Sequence, residues 1–413
     1  MRVQRSRNAV LRAHAQPDVS GEVALIIEEV EKGGDAAVLS LTERFDHAEV
    51  APEELRVDPN ELESSVGVLE PDVLAGLRTA IANVRTVARA QVRHVPVSVE
   101  LPEGHSVEIV ERAVRRAAVY VPGGRAPYPS TVVMGAVTAR AAGVEEIVVC
   151  APPGPGGRAH PVILGACVLC EVTEVYRIGG AQAIAALAFG TETVQAVDVI
   201  VGPGNPYVQE AKRQLVGRVG IDGIAGPSEL VVIASEGADP QLIALDLMAQ
   251  AEHGPDSPVW CLSPDSSLLD AVAAAIERLS PSRPSVSAAH AQLVETGDLA
   301  EALRFAEGVA PEHLELVGAE AEALADRVRS AGCLFVGAGA ATAFGDYVAG
   351  SNHVLPTGGA ARFQSALSPA TFRRRMARVS LPGEAPARLA RAGAALARAE
   401  GFPVHAESME RRA

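Results

Sequence analysis

The chain has 413 residues, of which 48% are hydrophobic and 21% are charged, and its formal net charge is −15. This length predicts two or three domains, and the composition is that of an ordinary globular protein. The acidic balance argues against nucleic acid or an anionic membrane surface as a partner. No apolar run reaches the length of a membrane span, and no signal-peptide core follows the N-terminus, so we expect a cytoplasmic protein.

The first half of the chain is predicted to be helical and then to alternate between strands and helices. Helices are expected over 21–32, 36–44 and 71–93, with a break at Gly33-Gly34-Asp35. From residue 117, strands are predicted over 118–121, 146–150, 174–178 and 198–201, and helices over 131–142, 161–171, 181–189 and 207–215. Short β-branched runs between alanine-rich helices are typical of a doubly wound parallel sheet.

The alternation repeats in the second half. Strands are predicted over 230–234, 259–262, 313–316 and 333–336, and helices over 241–253, 267–279, 298–306 and 319–330. The Gly- and Ala-rich stretch 337–372 is interpreted as a functional loop region. A helix over 385–399 and a short tail complete the chain. The predicted fold class is therefore α/β, with two doubly wound (Rossmann-like) parallel-sheet domains and a small helical C-terminal tail region.

We predict that residues 1–115 and 228–370 form the larger α/β domain, with the early helices packing on the second sheet. Residues 116–227 form the other α/β domain, and residues 371–413 form the C-terminal segment. Three glycine-rich turns follow strands of the first sheet, at Tyr120-Val-Pro-Gly-Gly, Ile178-Gly-Gly-Ala-Gln182 and Val201-Gly-Pro-Gly-Asn205. None has the GxGxxG pattern with a distant ribose-binding acid, nor GxxxxGK. Each still places backbone N–H groups at the carboxyl edge of a parallel sheet, which predicts a nucleotide-sized pocket.

A second candidate site begins at the end of the helix predicted over 241–253. Gln250 and His253 lie three residues apart, so on a helix they share a face, with roughly 5–6 Å between their Cβ atoms. Just before Gly254-Pro255, the amide oxygen and the imidazole nitrogen could bind one small cation. The alternative is an amphipathic helix whose polar face happens to carry these two residues.

Histidines and carboxylates cluster in the second half of the chain. Five of the ten histidines lie at or beyond position 253. All of these except His290 lie beside polar or turn residues, and two carboxylates accompany them: His253, His313, His353, His405, Glu312 and Asp346. This set suits a metal site beside an acid/base pair, with Zn²⁺ as the expected cation. Lysine occurs only at positions 32 and 212, which leaves almost no candidates for Schiff-base chemistry or a lysine phosphate loop.

Several long blocks are specific enough to identify a resemblance. They are Tyr120-Val-Pro-Gly-Gly-Arg-Ala-Pro-Tyr-Pro-Ser-Thr-Val-Val-Met, Gly179-Gly-Ala-Gln-Ala-Ile-Ala-Ala-Leu-Ala-Phe-Gly-Thr, Gly202-Pro-Gly-Asn, Ala225-Gly-Pro-Ser-Glu, Gln250-Ala-Glu-His, Ala310-Pro-Glu-His-Leu and Asn352-His-Val-Leu-Pro-Thr. From about Glu22 to His405, the chain resembles the histidinol dehydrogenases. These are the zinc- and NAD-dependent enzymes of the final steps of histidine biosynthesis.

The resemblance implies roles for individual residues. Zinc would be held by Gln250, His253 and Asp346, with His405 as a fourth ligand from the partner subunit. An intertwined homodimer that exchanges residues 371–413 follows from that implication. The NAD contacts would be Tyr120, Gln182 and Asn205, in the domain 116–227. Glu312 and His313 match the acid/base pair. The substrate, L-histidinol, would contact Ser228, His353 and Glu400 as well as Gln250, His253, Glu312, His313, Asp346 and His405.

Some of these residues have simpler interpretations. Ser228 could cap a turn, His353 could stabilise its loop, and Glu400 could be a solvated charge. The chemistry implied is a four-electron oxidation of a primary alcohol through a bound aldehyde. In it, neutral His313 accepts the alcohol proton and Glu312 activates water. The competing hypotheses are a related zinc/NAD dehydrogenase of another polar alcohol, a zinc hydrolase in which Glu312 activates water, and a catalytically silent scaffold.

Overall fold

The computed structural model describes residues 1–7, 17–92, 95–123, 126–154 and 156–413. Its strands are β1 (Arg2–Ser6), β2 (Val97–Glu100), β3 (Ser106–Ala113), β4 (Arg116–Tyr120), β5 (Glu146–Cys150), β6 (Glu174–Tyr176), β7 (Val199–Val201), β8 (Gly220–Ile221), β9 (Leu230–Ala234), β10 (Val259–Ser263), β11 (His290–Glu295), β12 (His313–Val317), β13 (Cys333–Val336) and β14 (Arg373–Ser380).

Its helices are α1 (Ser20–Asp46), α2 (Pro59–Ser64), α3 (Pro71–Gln91), α4 (Pro129–Val132), α5 (Thr138–Ala142), α6 (Pro161–Leu169), α7 (Gly180–Phe189), α8 (Pro206–Leu215), α9 (Pro240–Ala251), α10 (Ser266–Leu279), α11 (Leu299–Val309), α12 (Ala319–Glu322), α13 (Thr342–Tyr347), α14 (Ala385–Ala399) and α15 (Pro403–Glu410). Residue 93, the predicted end of the third helix, and residues 124–125, within the first block, lie outside the described residues.

Two parallel sheets confirm the predicted fold class. The five-stranded sheet has the order β6-β5-β4-β7-β8, and the six-stranded sheet has the order β1-β11-β10-β9-β12-β13. In each sheet the consecutive strands start near the middle, at β4 or β9, extend to one side, and then cross to the other; β1, from the start of the chain, adds the edge strand beside β11. This crossing is the doubly wound topology, which leaves a crevice at the point where the strand order reverses. The crevices lie between β4 and β7 and between β9 and β12.

The early helices pack on the five-stranded sheet, so the expectation that they pack on the second sheet is wrong. Val23 and Ile26 of α1 share a core with Ala118 of β4. The stripe of α3 that includes Leu77 and Ile81 packs on the opposite face of the same sheet. Each helix covers a sheet face that the crossover helices leave partly open, and burial of those apolar faces drives the packing. Of the described residues before position 97, only β1 pairs in the six-stranded sheet, alongside β11. The exact division into domains stays a prediction.

The predicted break in the first helix is present as a kink. Gly34 has φ 54° and ψ −137° inside α1, a conformation that an L side chain rarely adopts. The loop region predicted over 337–372 contains α13 and short 3₁₀ turns. The helix predicted over 319–330 is shorter, because α12 ends at Glu322 and a 3₁₀ turn follows at Ala325–Arg327.

A three-stranded antiparallel sheet, β14-β3-β2, was not predicted. The segment 371–413 was expected to be helical, but it begins with β14, which pairs with β3 along its whole length. The strand carries four arginines, three of them consecutive, and lacks the alternation of a half-buried strand. It also pairs with a partner more than 250 positions earlier, so local patterning gave little signal. After β14, α14 and α15 form a hairpin around Ala394, Ala397 and Ala406. None of the helices in the described residues is long and apolar enough to cross a membrane.

Candidate active site

The carboxyl edge of the five-stranded sheet forms a large cavity. Its volume is about 1080 Å³, and its lining includes Tyr120 at the end of β4, Gln182 in α7 and Asn205 at the start of α8. The three predicted NAD contacts are therefore brought together. The Tyr120 hydroxyl accepts a hydrogen bond from the Gly180 backbone N–H at 3.1 Å, and Asn205 caps α8 by accepting from the N–H of Val208 at 3.0 Å.

Steric limits explain why glycine occurs in a turn beside this cavity. Gly202 adopts φ +119°, and a Cβ at that position would lie 2.1 Å from the carbonyl oxygen of Tyr120. Only glycine therefore lets the turn after β7 approach β4 so closely.

Gln182 is 1% exposed, and its Oε1 has no hydrogen-bond partner among the described residues. A buried acceptor without a donor is costly, so this amide fits a site that a polar ligand completes.

The predicted acid/base and metal residues converge at the amino edge of the six-stranded sheet. β9, β12 and β13 are parallel and in register, with His313 opposite both Leu230 and Cys333, so their first residues share one edge. Helix α9 runs back to the same edge, where it delivers Gln250 and His253. The C-terminal end of a helix carries partial negative charge, which favours a cation there.

Asp346 lies between two of the predicted histidines. Its carboxylate oxygens are 3.8 Å from His253 Nε2 and 3.8 Å from His313 Nε2. Burial alone would raise the pKa of Asp346, but the adjacent His253 and the other neighbouring histidines lower that pKa overall. The proximity of the Asp346 carboxylate raises the pKa of His253 although burial opposes the rise. Helix α13, which carries Asp346, packs on α9 and so holds this carboxylate near the end of that helix.

Gln250 supplies a further donor group at the end of α9. The residue is 1% exposed, and neither its Oε1 nor its Nε2 has a hydrogen-bond partner among the described residues. Its backbone oxygen accepts from the N–H of His253 at 3.2 Å, so the two residues belong to one tight turn. Within the described ranges, no group of three or more His, Cys, Asp or Glu could hold a metal ion. A set of Gln250, His253 and Asp346 contains only two residues of those types.

Burial shifts the pKa values of Glu312 and His313 in opposite directions. Glu312 is 5% exposed and His313 is 2% exposed, and the Glu312 carboxylate lies 3.8 Å from His313 Nδ1. Burial raises the pKa of Glu312 to about 8, although hydrogen bonds from Glu229 and Ser228 offset part of the rise. Burial also lowers the pKa of His313 to about 4. At neutral pH the imidazole is therefore neutral, as a base must be.

His353 and Ser228 complete this cluster. The Nδ1–H of His353 donates to the backbone oxygen of Asp346 at 2.8 Å, which leaves Nε2 as the acceptor, 3.4 Å from the hydroxyl of Thr131. Because Thr131 belongs to α4 of the other sheet, this contact joins the cluster to the cavity region. Burial lowers the pKa of His353, so the ring is neutral. Ser228 lies near Glu312 and helps to lower the pKa of that carboxyl, a role beyond the simple turn cap considered above.

His405 and Glu400 lie apart from this cluster. Both belong to the C-terminal hairpin, and the ring of His405 contacts Phe402, with 5.2 Å between the centroids. Within the part of the chain that the structure describes, neither side chain bonds to the cluster. The single chain therefore does not bring these two predicted residues to the site.

Several residues around Glu312 and His313 were not predicted from the sequence. Phe335 packs on the ring of His313 at 5.6 Å, and Glu229 donates its backbone N–H to Glu312 at 3.0 Å. Glu315 and Asp246 form a buried carboxyl pair below the site, joined by a hydrogen bond. A signal for this pair was available, because Glu315 is a charged residue within a buried strand and Asp246 lies one helical turn before Gln250.

A cavity at the switch point of one parallel sheet and a buried cluster of histidines and carboxylates at the edge of the other define a class: an α/β protein with a nucleotide-sized cavity and a separate polar site suited to acid/base chemistry. Comparison with known proteins identifies the family within that class. The histidinol dehydrogenase family model matches residues 11–413. The chain belongs to the histidinol dehydrogenase family.

Individual relatives agree with this assignment. A histidinol dehydrogenase from Parasynechococcus marenigrum is 44% identical over 405 residues, covering 96% of this chain and 92% of that protein. One from Cereibacter sphaeroides is 45% identical over 413 residues, covering 97% and 94%. The crystal structure of histidinol dehydrogenase from Elizabethkingia anophelis superposes with a TM-score of 0.92 at 30% identity, covering 100% of this chain and 98% of that one.

Proposed function

We propose that this chain oxidises L-histidinol to L-histidine in histidine biosynthesis by two successive NAD-dependent hydride transfers through a bound aldehyde. Membership of the histidinol dehydrogenase family supports the substrate. The observation that carries the mechanism is the convergence of His253, Asp346 and the Glu312–His313 pair, within 3.8 Å contacts, at one sheet edge. The zinc hydrolase hypothesis is disfavoured because it leaves the cavity beside this cluster without a role.

The donor groups at the end of α9 fit zinc. Gln250 contributes an orphaned amide oxygen, His253 a ring nitrogen and Asp346 a carboxylate held in its charged form. Nitrogen and oxygen donors suit this borderline cation, and three ligands from one chain leave positions open. We propose that His405 of a partner subunit is the fourth ligand. When bound, zinc would hold the amino and imidazole nitrogens of the substrate and so fix its reacting carbon.

His313 and Glu312 divide the proton transfers. Neutral His313 accepts the hydroxyl proton as the alcohol is oxidised, because its low pKa leaves a nitrogen lone pair free. Glu312, whose pKa lies near 8, loses its proton at little cost and then withdraws one from water as that water adds to the aldehyde. His313 acts as base again when the hydrate is oxidised. NAD, when bound, supplies the acceptor for both oxidations.

Substrate orientation is assigned to residues around this pair. Ser228 and His353 face the Glu312–Asp346 region through the contacts described above, and Glu400 would approach with the partner's C-terminal segment. NAD would lie in the cavity between Tyr120, Gln182 and Asn205. Gln182 Oε1, which has no hydrogen-bond donor among the described residues, could accept a hydrogen bond from it. Retaining the aldehyde between the two steps keeps a reactive intermediate out of solvent.

We also propose that the active form is a homodimer. One face of the β14-β3-β2 sheet is apolar across all three strands, because Val99, Val107 and Val379 align in register. Val99 is 47% exposed and Val379 is 57% exposed. A contiguous exposed apolar face of this kind marks an interaction surface. The adjoining α14–α15 hairpin packs mainly on itself, which suits a segment that docks on a second subunit. We propose that the chain works in the cytoplasm, as the biosynthetic role of its family suggests.

One assay tests the reaction. Purified protein with L-histidinol and NAD should produce about two NADH for each histidine formed, because four electrons leave the alcohol carbon. Production of one NADH with free aldehyde would reject the second oxidation. Absence of NADH with histidinol, together with turnover of a different polar alcohol, would favour the related-dehydrogenase hypothesis.

A further inference from the structure

Asp46, the last residue of α1, extends into the proposed dinucleotide cavity from outside the sheet that forms it. Its Oδ2 accepts from the Gln182 side-chain amide at 3.4 Å. A Cβ placed on Gly179, in the turn after β6, would lie 3.2 Å from its Oδ1. The carboxylate therefore lies against the glycine turn that begins α7.

The side-chain oxygens of Asp46 and Gln182 accept fewer hydrogen bonds than buried acceptors normally do. Within the described residues, the long contact with Gln182 is the only hydrogen bond to the Asp46 carboxylate, and Gln182 Oε1 has none. Burial raises the pKa of Asp46 to about 6, so the group is mainly ionised at neutral pH while poorly solvated. A ligand that brings two adjacent donors would satisfy both side chains.

The other charged groups of the cavity do not provide such an acceptor pair. Glu61 also lines the cavity, but its carboxylate already accepts from Arg177 at 2.6 Å. Arg158 and His160 line it as well, and they offer donors suited to phosphate oxygens. His160 already accepts the N–H of Val162 with its Nδ1. Among the described residues that line this cavity, Asp46 is thus the carboxylate without a salt-bridge partner.

The position of Asp46 along the sheet indicates which half of a dinucleotide would contact it. In doubly wound folds the adenosine half lies over the strands next to the first strand, and the nicotinamide half lies across the switch point. Here those strands are β5 and β6, and Asp46 lies beside the turn after β6. The catalytic cluster follows β8 along the chain, on the opposite side of β4. An acid is usual at the end of the second strand, yet β5 ends in Cys150-Ala151-Pro152 without one.

We infer that Asp46, with Gln182, binds the vicinal hydroxyls of the adenosine ribose and selects NAD over NADP. The inference deepens the proposed function, because it assumes that the cavity binds a dinucleotide. Two ribose O–H groups donate to the Asp46 carboxylate and to Gln182 Oε1. A phosphate on the 2′ oxygen removes one donor and places about −1.5 to −2 charges against the carboxylate. Helix α1 thereby supplies the acid that the βαβ unit lacks.

Calorimetric titration of the full-length protein with NAD and NADP tests the inference. The wild type should bind NAD at least 100-fold more tightly than NADP. Asp46→Asn should weaken NAD binding about tenfold and reduce the NAD-to-NADP ratio by tenfold or more, because the repulsion disappears. Glu43→Gln removes an exposed carboxylate from the same helix and should leave both affinities unchanged.

Adenosine 5′-monophosphate and adenosine 2′,5′-bisphosphate separate this inference from the dehydrogenase proposal, since neither contains nicotinamide. Asp46→Asn should weaken the first ligand and spare or strengthen the second. An unchanged ratio in a variant with wild-type near-UV circular dichroism would overturn the inference, as would a loss confined to nicotinamide mononucleotide. If Asp46→Asn does not fold, equal wild-type affinity for NAD and NADP would suffice to overturn it. Failure to oxidise histidinol, with nucleotide selectivity intact, would count against the proposed function alone.

Discussion

Buried charges at the active-site edge are tuned by their surroundings more than by their residue type. Two adjacent residues, Glu312 and His313, shift in opposite directions because removal from water favours the neutral form of each. A neutral base beside a protonated acid follows at neutral pH. The sequence marked both residues as candidates, but their burial depends on how β9, β12 and β13 assemble.

Substitution of the two residues should separate the two oxidation steps. His313→Asn should slow both steps by about 10²–10⁴-fold, the usual contribution of a general base, with zinc content unchanged. Glu312→Gln should spare oxidation of histidinol and impair oxidation of added histidinal, because only the second step needs activated water. Single-turnover measurements of each step provide the comparison. Equal losses at both steps in Glu312→Gln would refute this division of labour.

The buried pair Asp246–Glu315 should make stability depend on pH. Burial and the neighbouring carboxyl raise the pKa of Glu315 above its ordinary value of 4.5. The folded protein then keeps a proton that the unfolded chain releases. Stability from this pair is therefore complete below pH 4.5 and is lost as pH rises through the raised pKa. Glu315→Gln should flatten the decline of Tm over this range.

Calorimetry at a series of pH values checks that expectation. Glu277→Gln, which removes an exposed carboxylate from α10, serves as the control and should retain the wild-type slope. An identical slope in Glu315→Gln would show that the pair does not carry a shared proton. Because Asp246 lies on α9 and Glu315 on β12, the pair also links the helix that ends in Gln250 to the strand that begins with His313.

At the scale of elements, the ends of helices and strands position both the cavity and the acid/base cluster. The cavity uses the carboxyl edge of one sheet, as doubly wound folds normally do, whereas the acid/base cluster uses the amino edge of the other. The connection from β8 to β9 joins the two edges. Along it, Ala225 donates to Gln209 at 2.9 Å, and Gly226 donates to Thr357. Short, heavily bonded connections of this kind hold two sites in a fixed relation.

Lys212 anchors the turn after β7 to this connection. It is 1% exposed, pairs with Asp222, and donates to the Gly202 carbonyl at 2.8 Å. Lys212→Met should lower the free energy of unfolding by about 3–5 kcal/mol, because it leaves the Asp222 charge buried without its partner. Chemical denaturation measures the loss. Lys32→Met, the change at the other lysine, should stay within about 0.5 kcal/mol because that side chain is exposed. A comparable effect at both positions would contradict the anchoring role.

At the scale of the whole molecule, the exposed apolar sheet face and the isolated C-terminal hairpin are the basis for the proposed second subunit. Val99→Glu should shift the sedimentation equilibrium toward monomer, because it places a charge on the face that would be buried. Leu25→Glu alters an equally apolar residue that is 67% exposed on α1 and should leave the assembly unchanged. Dimers of undiminished stability in Val99→Glu would exclude this face as the interface.

Metal content tests whether the hairpin reaches a partner's site. His405→Ala should lower the zinc bound per chain after dialysis against a weak chelator, since one of four ligands is lost. His47→Ala removes an exposed histidine and should have no effect. Zinc occupancy that is equal in His405→Ala and wild type would show that the fourth ligand has been assigned wrongly.

Many of the secondary-structure elements and most of the candidate site residues could be predicted from the sequence alone. Hydrophobic runs and helix punctuation predicted most of the alternating elements of both parallel sheets, since these signals are local. They missed the strands β1, β8 and β11. The blocks around Gln250, Glu312 and His353 gave the candidate residues. Antiparallel pairing of β14 with β3 and the placement of α1 and α3 could not be inferred, because both depend on contacts between distant segments.

The sequence by itself determined the fold class, the family resemblance and the candidates for catalytic chemistry, because residue type and spacing carry that information. Only the tertiary structure decided which residues meet: Asp346 between His253 and His313, Asp46 beside Gln182, and His405 away from the cluster of its own chain. Burial, which sets the pKa values of Glu312 and His313, also arises only there. The physical reason is that exclusion of water is a property of packed surfaces and not of a local stretch of chain.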